Sequence, residues 1–114
     1  MTETEFIALT DRVLEHIANA LDGSDADVDW QLNDGILEID CSDSESSGGS
    51  GGKIIVNRHL PNREIWLATR GGGFHFKQVD NTWQDTRGGN DLPTELARAL
   101  KTQAGVAVEV DVSA

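Results

Sequence analysis

The chain has 114 residues, of which 38% are hydrophobic, and its 20 acidic side chains outnumber nine Lys and Arg to give a formal net charge of −11 at pH 7. This length fits a single domain, residues 1–114, with a modest core. The charge argues against nucleic acid or an anionic membrane as partner, because both attract basic surfaces, and it favours cations or a basic protein.

Cysteine content and apolar patterning indicate where the protein is found. The one cysteine, Cys41, cannot form an internal disulfide, and a reducing compartment is consistent with this. The acidic amino terminus is unlike a signal or transit peptide, and no apolar run is long enough to span a bilayer. A cytoplasmic protein is therefore expected.

The first predicted element is a helix over residues 4–21, capped by Thr2 or Thr4 and ended by Asp22-Gly23. Its apolar stripe recurs at intervals of three and four residues and consists of Phe6, Leu9, Val13, Ile17 and Leu21. Acidic residues occupy the opposite face, at Asp11, Glu15 and Asp22. For a helix taken alone, a solvated face is the simpler interpretation.

The next stretch alternates acidic and apolar residues. In a strand, Asp25, Asp27 and Asp29 would lie on one side with neighbours about 6.5–7 Å apart. Like charges this close repel each other unless a positive group binds them. The spacing resembles the opening of a calcium-binding loop, but the glycine and glutamate that complete such a loop are missing.

A β-hairpin is expected next, turning at Asn33-Asp34-Gly35 and directing Leu37, Ile39 and Cys41 inward. We interpret Cys41 as a small core residue rather than a metal ligand or nucleophile. Residues 42–52 contain only Ser, Gly, Asp and Glu, a composition that predicts a flexible loop.

Three short strands are predicted at residues 54–57, 64–68 and 74–77, separated by Pro61-Asn62 and a run of three glycines. Alternation places Ile65 and Leu67 on one face and Trp66 on the other, where it must be covered or bind a partner.

A last strand is expected at residues 82–85, and a second helix runs from its cap Asp91 to a stop at Gly105. Valines alternate beyond it, at Val106, Val108, Val110 and Val112. The order of elements predicts an α+β two-layer sandwich, with an antiparallel sheet of five to six strands and both helices on one face.

The central stretch also resembles a known family. Asn57-Arg58, Pro61, Ile65-Trp66-Leu67-Ala68, a glycine turn and Phe74-His75-Phe76 are similar, without gaps, to the central signature of frataxins, particularly the bacterial ones. His59 and Glu64 stand where the pattern has glutamines. The resemblance extends over residues 5–105 and implies that the tail lies in the groove between the helices.

The resemblance also implies a function. The family's acidic ridge is associated with iron binding and with docking to a basic surface of the cysteine desulfurase of iron–sulfur cluster assembly, and an exposed sheet patch contacts the assembly machinery, including its scaffold. In this chain Ala18, Asn19 and Ala20 stand among the expected carboxylates. The expected metal ligands, here called the acidic ridge, are Asp11, Glu15, Asp22, Asp25, Asp27 and Asp29. The expected partner contacts are Asn57, Trp66, Asp25, Asp27 and Asp29.

The residues themselves favour binding over catalysis. An open ridge of hard oxygen ligands suits iron, calcium, magnesium or manganese, and it should bind them weakly. The leading hypothesis is a monomeric, non-enzymatic protein that regulates the desulfurase, delivers iron, or does both. A ferroxidase that oxidises ferrous iron at clustered carboxylates is the alternative, although the Glu-x-x-His pairs of di-iron bundles are missing. A third hypothesis is an acidic mimic of nucleic acid that blocks a basic partner.

Overall fold

The computed structural model describes residues 1–110, apart from the side chains of residues 45–47. Helices α1 and α2 flank six strands, and a short 3-10 helix, Ser42–Ser47, follows the second strand. The bounds are α1 Glu3–Asp22, β1 Asp29–Asn33, β2 Ile36–Asp40, β3 Lys53–His59, β4 Glu64–Thr69, β5 Gly72–Val79, β6 Thr82–Asp85 and α2 Leu92–Gln103.

The six strands form one antiparallel sheet in which each strand pairs with the next along the chain. Both helices pack on one face, where Ile65, Leu67, Phe76 and Trp83 are buried in the core they share. The predicted two-layer α+β sandwich is therefore confirmed, with six strands. The opposite face, which we call the open face, carries the residues that alternate with these core positions.

Helix α1 begins with a capping box. The Thr2 hydroxyl accepts the Glu5 backbone N–H, and the Glu5 carboxylate accepts the Thr2 N–H. Thr2, rather than Thr4, is the cap. The backbone and side-chain hydrogen bonds with Thr2 lower the pKa of Glu5 below its ordinary value. The predicted apolar stripe is buried along the whole helix.

The turn between β1 and β2 fixes how these strands pair. Asp34 and Gly35 both have positive φ, 48° and 80°, the conformation of a two-residue hairpin turn. The pairing then begins at Asn33 with Ile36 and ends at Asp29 with Asp40.

Helix α2 has the predicted cap, because the Asp91 carboxylate accepts the Thr94 N–H at 3.0 Å. Gly105, with φ 77°, follows its end as expected. The tail then alternates, so that Val108 and Val110 are buried and Glu109 is exposed, and Val110 lies beside Pro93 and Ala97 of α2. Val112 is outside the described residues.

The Ser/Gly-rich stretch forms a short helix and backbone hydrogen bonds to the end of α2. After the 3-10 helix, the amides of Ser50 and Gly51 donate to the carbonyls of Thr102 and Gln103 at the end of α2. The backbone comes so close that a Cβ on Gly49 would lie 2.2 Å from the Gln103 carbonyl oxygen, which explains the glycine there. The mobility of the loop stays a prediction.

Cys41 is fully buried, as predicted, and burial raises the pKa of its thiol to about 11. Neither helix in the described part of the chain has the length and apolar character needed to cross a membrane.

Candidate functional site

The acidic residues gather where α1 passes into β1. Asp22 ends the helix, and its carboxylate accepts the indole N–H of Trp30 at 2.8 Å. Trp30 packs against the core, so this hydrogen bond fixes the end of α1 against β1. The carboxylates of the helix end and of the following strand therefore lie on one edge of the sandwich.

Exposure alternates along the connecting segment as predicted. Asp25, Asp27 and Asp29 are exposed, while Ala26, Val28 and Trp30 are partly buried against the core. However, only Asp29 belongs to β1, so the prediction that all three lie in a strand is wrong for Asp25 and Asp27. The extended segment before β1 is held instead by the Ser44 hydroxyl, which donates to the Asp27 carbonyl.

We call Asp22, Asp25, Asp27 and Asp29 the acidic strip. Among the ion pairs of residues 1–110, none involves a member of the strip. Its negative charge is therefore left to solvent, counterions or a partner. Alternate residues of an extended chain are about 6.5–7 Å apart, a spacing that suits several separate contacts better than one enclosed ion.

The two remaining acids of the ridge differ from the strip. Asp11 forms an ion pair with Arg58 of β3, with 2.7 Å between Oδ1 and Nη1. The Arg58 side chain is only 12% exposed and also lies 3.9 Å from Asp34. The Arg58 guanidinium already binds the Asp11 carboxylate and would compete with a metal ion for it. This argues against Asp11 as a metal ligand. Glu15 is exposed on α1, about 10 Å along the helix axis from Asp22.

Asp40 was not predicted to belong to the site, yet it is the direct cross-strand neighbour of Asp29. Like charges opposite each other destabilise a sheet. Two hydrogen bonds from Ser42, through its hydroxyl and its backbone N–H, lower the pKa of the Asp40 carboxyl and so favour its charged form. The pairing of Asp40 with Asp29 could have been predicted from the turn dipeptide Asp34-Gly35. A two-residue turn there fixes which residues of β1 and β2 lie opposite each other.

The carboxylates do not form a closed metal centre. Within the described residues, no three side chains among His, Cys, Asp and Glu are grouped closely enough to hold a metal ion. An ion on the strip would take one or two carboxylates and complete its shell with water, as hard cations readily do.

A second surface lies on the open face. Asn57 and Trp66, the predicted partner contacts, are direct cross-strand neighbours on β3 and β4, and both are half-buried. Beside them Ala68 pairs with Gly73, and these two small residues help to line a depression of about 200 Å³ that Asn57 and Trp66 also line. His59 and His75 stack on the two faces of the Trp66 indole, an arrangement that sequence reasoning missed.

Comparison with known proteins agrees with this architecture. The family model of the frataxin-like domain matches residues 1–106. Two proteins named iron-sulfur cluster assembly protein CyaY are 39% and 42% identical to the chain; they come from Neisseria meningitidis serogroup B and Dechloromonas aromatica. The first alignment covers 96% of both chains, and the second covers 95% of this chain and 97% of the relative.

A solved frataxin from Psychromonas ingrahamii superposes with a TM-score of 0.83 at 31% identity, covering 96% of this chain and 97% of the other. Given matches over nearly its whole length in both sequence and structure, this chain belongs to the frataxin family.

Proposed function

We propose that this protein takes part in iron–sulfur cluster assembly as a non-enzymatic, iron-binding component that acts through its acidic strip. Its family membership and the names of its CyaY relatives support the general role. The observation that carries the finer proposal is the strip itself, four exposed carboxylates on one edge with no cationic partner among the described residues.

The strip suits a basic protein surface. A run of separate carboxylates can pair with several Lys or Arg side chains at once, and the net charge of −11 adds long-range attraction. We propose the cysteine desulfurase as this partner. Since the contacts are exposed, their strength should fall as salt is added.

Iron is the cargo in this proposal, not a resident cofactor. Exposed carboxylates are ligands that ferrous and ferric iron accept, and a strip without an enclosing pocket releases such an ion easily. Weak binding is what a protein that hands iron on requires. The same carboxylates would serve both metal and desulfurase, so the two ligands should compete.

The open face supplies the second contact. We propose that Asn57 and Trp66 bind the scaffold protein on which clusters are built. Exposed or half-exposed aromatic residues are frequent anchors of protein interfaces. The strip lies at the junction of α1 and β1, whereas Asn57 and Trp66 lie on β3 and β4, so the two surfaces share no residue and could contact desulfurase and scaffold together.

The central experiment reverses the charge of the strip. In the triple variant Asp25→Lys, Asp27→Lys and Asp29→Lys, we expect desulfurase affinity to fall more than tenfold while the amide NMR spectrum stays folded. The matched control reverses Glu3, Asp80 and Glu109, exposed acids outside the strip, and makes the same change in net charge. It should retain most of the affinity. Equal losses of desulfurase affinity in the two variants would show that only net charge matters. If the wild type does not bind the desulfurase at low salt, the proposal is wrong.

Further measurements separate the finer roles. Titration with ferrous iron under argon, followed by amide NMR, should shift signals from Asp22 to Asp29 first. A change in desulfurase turnover without iron would identify a regulator, whereas faster cluster formation only with iron-loaded protein would identify an iron chaperone. Oxygen consumption with ferrous iron tests the ferroxidase alternative, for which we expect no difference between wild type and the triple variant.

A further inference from the structure

Three aromatic rings from three adjacent strands form a continuous stack on the open face. The Trp66 indole lies between the imidazoles of His59 and His75, with ring centroids 3.8 and 4.1 Å away. The planes are nearly parallel, at 7° and 4°. Both faces of the indole are thus covered by side chains of the same molecule, and a partner must contact its edge.

Glu64 is the fourth member of this cluster. Its carboxylate Oε1 accepts the Trp66 indole N–H at 2.8 Å and lies 3.7 Å from Nδ1 of His75. Glu64 is opposite His59 in the sheet register and is only 8% exposed, although it belongs to the open face. A carboxylate that is this buried has its hydrogen bond strengthened by the low local dielectric.

The stacking contacts and the hydrogen bond restrain the indole in different ways. Stacking fixes the plane of the ring but leaves it free to slide within that plane. The hydrogen bond to Glu64 fixes its direction, because the indole has a single N–H donor. Nδ1 of His59 is buried with no hydrogen-bond partner among the described residues, so His59 contributes by stacking.

We propose that Glu64 is a positioning residue, which sets the orientation of Trp66 and so keeps the open face in the conformation that a partner binds. This inference rests on the proposed binding of the scaffold by the open face. A side chain that is already ordered does not lose its rotamer freedom on binding, and such a loss costs about 0.5–1.5 kcal/mol. Removing the hydrogen bond should therefore weaken scaffold binding by about two- to tenfold.

Three variants test this. Glu64→Gln keeps an oxygen acceptor, Glu64→Leu has a similar size without one, and Glu64→Thr is too short to reach the indole. Each indole N–H gives its own signal in a ¹⁵N-correlated NMR spectrum, and Trp66→Phe identifies the signal of Trp66. We expect this signal to shift upfield and exchange faster with water in the Leu and Thr variants, with Gln close to wild type. The signals of Trp30, which is bonded to Asp22, and of buried Trp83 serve as internal controls.

Scaffold affinity is then measured for the same variants. The expected order is wild type and Gln together, with Leu and Thr two- to tenfold weaker, while the amide NMR spectrum of each variant still shows the folded protein. An unshifted Trp66 signal in both the Leu and Thr variants, or full affinity despite a shifted signal, would overturn the inference. If the wild type does not bind the scaffold, the proposed function of the open face fails, while the NMR comparison still decides whether Glu64 orients Trp66.

Discussion

Replacing Gln103 with leucine tests how the fold holds its Ser/Gly-rich segment. Gln103 is 1% exposed at the end of α2, and its side-chain amide forms hydrogen bonds with three backbone groups, in the Ser/Gly-rich stretch, at the start of β3 and just after β4. Nε2 donates to the carbonyls of Gly51 at 3.1 Å and Lys53 at 3.2 Å, while Oε1 accepts the Arg70 N–H at 3.0 Å. Leucine is of similar size but makes none of these bonds.

The expected loss follows from the burial of these groups. Leaving a buried polar group without a partner costs about 1–3 kcal/mol, and less where water can reach it. The Gly51 carbonyl bond is buried and the other two are partly buried. The added apolar contact of leucine offsets part of the loss, so we expect the free energy of unfolding to fall by about 2–3 kcal/mol. For a domain of this size that corresponds to about 8–12 °C in Tm.

Thermal unfolding of Gln103→Leu is the assay, and Gln31→Leu on the exposed side of β1 is the matched control. The control should change the stability by no more than about 0.5 kcal/mol. Hydrogen exchange should also accelerate at the amides of Ser50 and Gly51, which donate to the end of α2. A Tm within 2–3 °C of wild type, with those amides still protected, would contradict the reasoning.

Two other predictions concern pH and reactivity. Because hydrogen bonds with Thr2 lower the pKa of Glu5 from its ordinary value of 4.5, the capping box stabilises the fold above that pH and is lost as pH falls through the lowered value. Unfolding measured across the acid range should therefore show a weaker pH dependence in Thr2→Ala, and an unchanged profile would contradict the assignment. The Cys41 thiol, with a pKa of about 11, should resist a thiol reagent at neutral pH and react only at the rate of unfolding. Rapid labelling of the native protein would refute this.

The elements with a local signal were predictable from the sequence. The stripe of α1 follows the helical period, and the strands around Trp66 alternate with period two, so their buried faces could be assigned in advance. The caps at Asp91 and Gly105 also depend on neighbouring residues alone. The exposure of Asp25, Asp27 and Asp29 belongs to this group, because it follows from alternation.

Other features depended on residues that are distant in sequence. Asp11 was expected on an open ridge, but the position of α1 over the sheet brings it to Arg58, 47 residues away. The low-complexity segment gave no sign that Gln103 would bind it. The placement of His59 and His75 on both sides of Trp66 requires the register of three strands to be known together.

The sequence alone determined the two-layer fold, the buried face of each element and the run of exposed carboxylates, because periodicity and capping are short-range properties of the chain. Tertiary structure decided which carboxylates form ion pairs within the protein and which aromatic rings stack into one surface. Those outcomes depend on distances between elements, which only the packing of helices on the sheet and the register of its strands define.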